Sequence, residues 1–396
     1  MKIKTILMAG AASLTLALPA AGAEYTMSVS ADYSGPVADV MPNAMAGIKA
    51  VVAWWNAEVG ADMGVTVNAK IYDMRYDASV VAKTWPAILS TDKPVMHLGF
   101  GAPDLLTLMK RLPNDKVPML MGTAMVGPVW TDNGWHFSIR PTYSHEFSGL
   151  FAKLQEDKGG KLAIAAVSTQ NKAGFIDQVN GVKKLAETYP DKFEVVDVQW
   201  AETSPVSLTG QVRSLAAKNP DVVLVGGTTA QVIATAKAMK ELDVSIPIVM
   251  STHNGLSEVS KGIALSDLEG SYSAYAFASP GGGSEISAVF EEYHEDGEWG
   301  LMAAQASAQA ILALRILEAA MEDVGKDNVT GQAMYDAMIN HVFAEDSLLG
   351  ALPQVDFDTT APFPVGDLKA SADVVSGGKI VPFNDAWMTI PALEKW

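Results

Sequence analysis

Short apolar and β-branched runs alternate along the chain with longer stretches in which apolar residues recur every three or four positions. The short runs read as strands and the 3.6-residue recurrence as helices, so the alternation predicts βαβ units and parallel sheets. In the first half, strands are expected at 26–30, 65–72, 95–99 and 117–121, with helices at about 40–58, 77–90 and 103–111. Met41, Ala44, Met45, Ile48, Val51, Val52 and Trp55 give the first helix one apolar face for the sheet. Asp77 reads as the N-cap of the second helix and Pro103 as a first-turn residue of the third.

The series restarts after 137–142, with strands at 162–167, 193–198, 222–225 and 246–250 and helices near 172–188, 207–218 and 230–242. Two successive sets imply two similar lobes. A further strand, 270–277, leads into the Gly/Ser/Pro loop 279–284, where the chain can change lobe. Helices follow at 285–295 and 301–324, the second with a small-residue face (Ala304, Ser307, Ala308), and Thr330 caps a helix running to Ile339. The tail from 349 is expected to return as small strands. The division predicted is 24–141 plus 279–348 for lobe I, and 142–278 plus 349–396 for lobe II.

The first 23 residues change this picture. Lys2 and Lys4 precede an apolar run at 5–20 and the small residues Ala21-Gly22-Ala23, the pattern of a signal peptide cleaved after Ala23. Export to the periplasm is the expectation. Elsewhere the most apolar window, 301–320, is interrupted by Gln305, Gln309, Arg315 and Glu318, so no direct membrane insertion is expected. Cysteine is absent from the sequence, which removes disulfides, thiolate metal sites and a lipid-anchored N-terminal Cys. The net charge of −17 argues against nucleic acid or anionic lipid as partner.

Enzyme signatures are missing: there is no Gly-x-Ser-x-Gly elbow, zinc helix or Walker A loop. The six histidines lack ligand spacing, and Gly99-Phe100-Gly101-Ala102-Pro103-Asp104 lacks the third glycine of a dinucleotide loop. No enzyme, cofactor or metal is therefore expected. The same loop reads better as anion-tolerant, since glycine admits a close approach and the helix opening at Pro103 offers N–H groups. Thr123-Ala124-Met125 ends the next strand, and His253 lies in Ser251–Gly255 beyond strand 246–250. Ligands of open α/β sheets are met at such carboxyl ends. Of the nine tryptophans, Trp54, Trp55 and Trp85 fall in helical patterns and read as core, and an aromatic cage for a quaternary ammonium is set aside.

The turn Tyr33-Ser34-Gly35-Pro36, the segment Ile71-Tyr72-Asp73 followed by Asp77 and a helix, and the 137–142 crossover resemble periplasmic binding proteins of branched-chain amino acid type. These are the type I solute-binding components of ABC importers. The resemblance covers nearly the whole chain after residue 23. It implies an α/β fold of two Rossmann-like lobes joined by three crossover strands, with hinge closure over a small-molecule ligand and a membrane ABC permease as partner of a monomer.

In relatives the turns corresponding to 99–104 and 123–125 hold the ligand's carboxylate. Thr123 fits that role, whereas Phe100 and Ala102 depart from the hydroxyl-rich pattern. Amino-acid binders also place an acid after the strand matching 246–250, to pair the α-ammonium; Asn254 stands there in this chain. An ammonium in a dry cleft needs an opposite charge. The expected ligand is therefore a carboxylate without ammonium, or an amide, unless Asp32, Asp39 or Asp104 reaches across. Tyr33, Phe100, Gly101, Ala102, Thr123 and Ala124 should bind from lobe I, with Gln170, Thr228, His253 and Asn254 from lobe II. Tyr33, Phe100 and Met125 point to an apolar ligand body. The alternatives are a secreted small-amide hydrolase, for which no nucleophile–base motif is present, and a ligand-sensing module for a membrane receptor.

Overall fold

The computed structural model describes residues 22–170, 172–384 and 387–396. The leader expected at 1–23 lies outside them except for its last two residues. Ala23 already opens a strand, and its N–H donates to the Gly64 carbonyl.

Five parallel strands form the first sheet: β1 (Ala23–Ala31), β2 (Val65–Asp73), β3 (Met96–Gly99), β4 (Met119–Met121) and β5 (His136–Ser138), in the order β2-β1-β3-β4-β5. The second set, β6 (Leu162–Ser168), β7 (Phe193–Trp200), β8 (Val222–Gly226), β9 (Ile248–Met250) and β10 (Tyr272–Tyr275), repeats that topology as β7-β6-β8-β9-β10. In each sheet the winding reverses beside the set's first strand. The turns after β1 and β3 therefore open at one switch point, and those after β6 and β8 at the other.

A two-stranded ribbon, β11 (Val342–Phe343) and β12 (Val355–Asp356), precedes β13 (Lys369–Ser376), β14 (Lys379–Pro382) and β15 (Met388–Thr389). β13 runs antiparallel to β10 and carries β14 and β15 onto the second sheet. The chain thus crosses between lobes three times: between β5 and β6, after β10, and between β12 and β13. The return expected at 349 comes later. Leu349, Leu352, Val355, Phe357 and Phe363 are buried in the first lobe's core, because their apolar side chains pack there with the helices Leu301–Val324 and Gly331–Asn340.

Helix Met41–Trp55 buries the face its spacing predicts and packs on Leu301–Val324. The contact depends on small residues: a Cβ on Gly47 would stand 2.5 Å from the Ala303 carbonyl oxygen. Trp55 and Trp85 are fully buried and Trp54 partly so. Asp77 and Thr330 cap their helices as expected, Asp77 accepting from the Ser79 and Val80 amides and Thr330 from Ala333. Among the described residues no helix is long and apolar enough to cross a membrane.

Candidate functional site

The turn after β1 is shaped by Asp32. Its carboxylate accepts the N–H groups of Gly35 and Val37, so this acid braces its own loop and does not reach across. Gly35 is required there, since a Cβ would come within 2.4 Å of the Arg75 carbonyl oxygen. Asp73, ending β2, accepts from the Tyr33 amide at 3.0 Å and the Ser34 hydroxyl at 2.7 Å, tying the two turns together. Tyr33 stands at the rim, 45% exposed.

The turn after β3 differs from the anion-tolerant loop expected of it. Asp104 Oδ2 accepts the amides of Phe100 (2.9 Å) and Gly101 (3.2 Å), while Oδ1 accepts the Ser30 hydroxyl (2.8 Å). The loop already holds an anion of its own, placed there because Asp104 sits at the third helical position and folds back on the cap. Behind it His97 bridges Ser28 and Ser30; its burial, partly opposed by Asp104, pushes the imidazole pKa down. The ring of Tyr76 lies against this turn at Gly101. Tyr76 and its neighbour Arg75 both have left-handed backbones, φ 49° and 55°, a conformation disfavoured for such residues. Phe100 is half-buried, Gly101 is buried and Ala102 is exposed.

After β4, Thr123 is half-buried and its carbonyl accepts the Ser138 hydroxyl; Ala124 beside it is buried. Gln309 donates to the carbonyls of Gly99 and Leu120 and so fixes the ends of β3 and β4 together. Further along this loop, the Gly127 amide donates to Asp177 Oδ2 in the second lobe's helix Ala173–Thr188. The other oxygen of Asp177 accepts the Trp396 indole N–H at 2.8 Å. Trp130, His145, Phe363 and Trp396 pack ring against ring beside it.

In the second lobe two expected ligand residues are occupied structurally. Asn254 is buried: its Oδ1 accepts the Ser251 amide, and its Nδ2 donates to the carbonyls of Val225 and Gly227, each at 2.9 Å. It locks the turns after β8 and β9 together. Thr228 is the N-cap of helix Thr229–Glu241, accepting from Gln231 and donating to the Thr203 carbonyl. Gln170 is exposed at the end of β6.

His253 lies in the turn after β9 with an open edge. Its Nε2 is 2.9 Å from the Gly227 carbonyl, which can only accept, so that nitrogen carries the hydrogen. Its Nδ1 faces the Ser251 hydroxyl at 2.7 Å. Phe175 stacks on the imidazole at 5.6 Å and Tyr143 meets it edge-on at 5.4 Å. Crowding by these groups removes water from the ring and lowers its pKa to about 4, so it is neutral at pH 7.

Beneath this trio, fully buried Arg140 in the first crossover bonds Glu146, Thr252 and Gln305, thereby contacting both lobes. Its guanidinium lies 5.6 Å from the Tyr143 ring and 5.2 Å from that of Phe277. The sequence reading missed Tyr76, Tyr143, Phe175 and Arg140. Tyr76 follows the carboxyl end of β2, and Phe175 opens the helix after β6, so the loop rule applied to every strand would have found both. Among the described residues no three His, Asp or Glu side chains converge as a metal site.

Two lobes of matching strand order, with facing switch-point turns, find their counterpart in a family described as periplasmic binding proteins, which matches residues 24–364. The chain belongs to this family. Its type I fold is shared by solved structures of low sequence identity. An ABC transporter substrate-binding protein from Aeropyrum pernix superposes with a TM-score of 0.77 at 17% identity, over 93% of this chain and 97% of that one. A branched-chain amino acid ABC transporter protein from Thermus thermophilus, with bound valine, gives 0.73 at 16% identity over 94% and 97%. A solute-binding protein from Rhodopseudomonas palustris HaA2, in complex with p-hydroxybenzoic acid, gives 0.69 at 17% over 94% and 98%. No curated protein matches the chain. In this periplasmic binding protein the residues expected to meet a ligand lie on turns at the carboxyl ends of the strands.

Proposed function

We propose that the chain is the periplasmic substrate-binding component of an ABC importer, exported by its N-terminal leader, which captures a small apolar-bodied ligand between the lobes and delivers it to a permease. The observation that supports this reading best is the aromatic trio Tyr143, Phe175 and His253 on the second lobe, held by Arg140 at the crossover. Such a surface binds by contact and desolvation and needs no covalent step. Solved proteins of this fold that hold valine and p-hydroxybenzoic acid support a small acid as the ligand class. In this chain a ligand carboxylate or amide has its place at the Thr123–Ala124 turn, because Asp104 occupies the amides of Phe100 and Gly101.

A thermal-shift panel of amino acids, aromatic and aliphatic acids, amides and quaternary amines tests the proposal. One class should raise the melting temperature in a concentration-dependent way, and His253→Ala should reduce that shift. X-ray scattering with the active compound should show compaction as the lobes close. A protein that hydrolyses the amides of the panel would establish the hydrolase reading instead.

A further inference from the structure

In the first lobe, the side chain of Tyr76 lies on the β3 turn. A Cβ on Gly101 would lie 2.2 Å from Tyr76 Cε2 and 3.1 Å from its hydroxyl oxygen, so the phenol ring rests directly on the glycine backbone. Asp104 takes the amides of Phe100 and Gly101. Tyr76 remains 37% exposed, so it covers the turn on one side and meets solvent on the other.

The position is built rather than incidental. The left-handed backbone at Arg75 and Tyr76 turns the chain back over the sheet, and the interlock of Asp73 with Tyr33, Ser34 and Arg75 holds it. Gly101 has an extended backbone (φ −152°) that any residue adopts, so its lack of a side chain serves the ring and not the turn.

We propose that Tyr76 is a specificity-determining residue of the cleft: it covers the β3 turn with a partly exposed aromatic face and so selects ligands whose body is a flat π-system. This rests on the binding-protein reading above. A flat ring gains from stacking on that face, whereas a puckered ring of the same carbon count presents axial hydrogens and loses that contact.

Calorimetry with two matched pairs tests it: benzoate against cyclohexanecarboxylate, and benzamide against cyclohexanecarboxamide. The unmodified chain should bind the flat member of each pair about tenfold more tightly. Tyr76→Leu should bring that ratio to within about threefold, and Gly101→Ala, which pushes the ring off its seat while keeping the tyrosine, should do the same. Tyr76→Phe should keep the ratio. A ratio unchanged by both Tyr76→Leu and Gly101→Ala, with binding retained, overturns the role of Tyr76 and leaves the binding reading intact. Absence of binding by all four probes, to the unmodified chain and the variants alike, overturns both.

Discussion

Arg140 and Glu146 face each other through two hydrogen bonds of 2.6 Å, Nε to Oε1 and Nη2 to Oε2, with neither side chain accessible to water. Removing one partner strands the other as a buried charge. Glu146→Leu should cost about 3–5 kcal/mol in urea unfolding, and the double change with Arg140→Met should regain much of it. A single-variant loss near zero would mean that the pair carries no structural weight at the crossover.

Asn254 donates both amide hydrogens to carbonyl oxygens, so an acid at that position would set a carboxylate against two acceptors. Asn254→Asp is expected to lose about 2 kcal/mol or more of stability and to gain no affinity for valine or leucine by calorimetry. Tight binding of either amino acid by this variant would show that residue 254 faces the ligand after all.

Thr228→Ala removes a helix cap. It should lower stability by about 1 kcal/mol and leave the midpoint of ligand titration unmoved. A weakened ligand with unchanged stability would be the opposite result, and would return Thr228 to the binding surface.

His145 gives the fold a dependence on pH of definite sign. Only 2% exposed, it lies 2.7 Å from the Thr142 hydroxyl, and burial lowers its pKa to about 4. The unfolded chain protonates this imidazole near pH 6.5 and the folded chain resists until about 4. Its contribution is complete above pH 6.5 and declines as the pH falls toward 4, by up to about 3 kcal/mol. Denaturant titrations between pH 7 and 4.5 should show the decline, and His145→Gln should make it shallower, with His253 and His97 supplying the remainder. An equal slope in both proteins would assign the effect elsewhere.

The βα alternation was plain in the sequence because helix and strand periods leave their mark in every burial pattern, from the face of Met41–Trp55 to the caps at Asp77 and Thr330. The turns at the strand ends were legible from the same order. What single residues do within those turns was not. Asn254 and Asp104 look available in one dimension, yet each is taken up by backbone groups of its own loop or of a neighbouring strand end. Tyr76 was invisible because its role depends on a left-handed backbone and on a glycine 25 positions away. The point of return to the second lobe was misjudged for a similar reason: the apolar residues of 349–363 suit either core, and only packing assigns them.

Asp177 joins a loop of one lobe to the chain end held on the other. The loop that starts with Thr123 and Ala124 is rooted in the first lobe at β4, but its far side is pinned through Gly127 to the second. Any rotation of one lobe against the other must therefore pull on this strap. On the proposed reading the seat of the ligand's head group would be geared to the hinge, so that filling the seat and turning the lobes would be a single mechanical event.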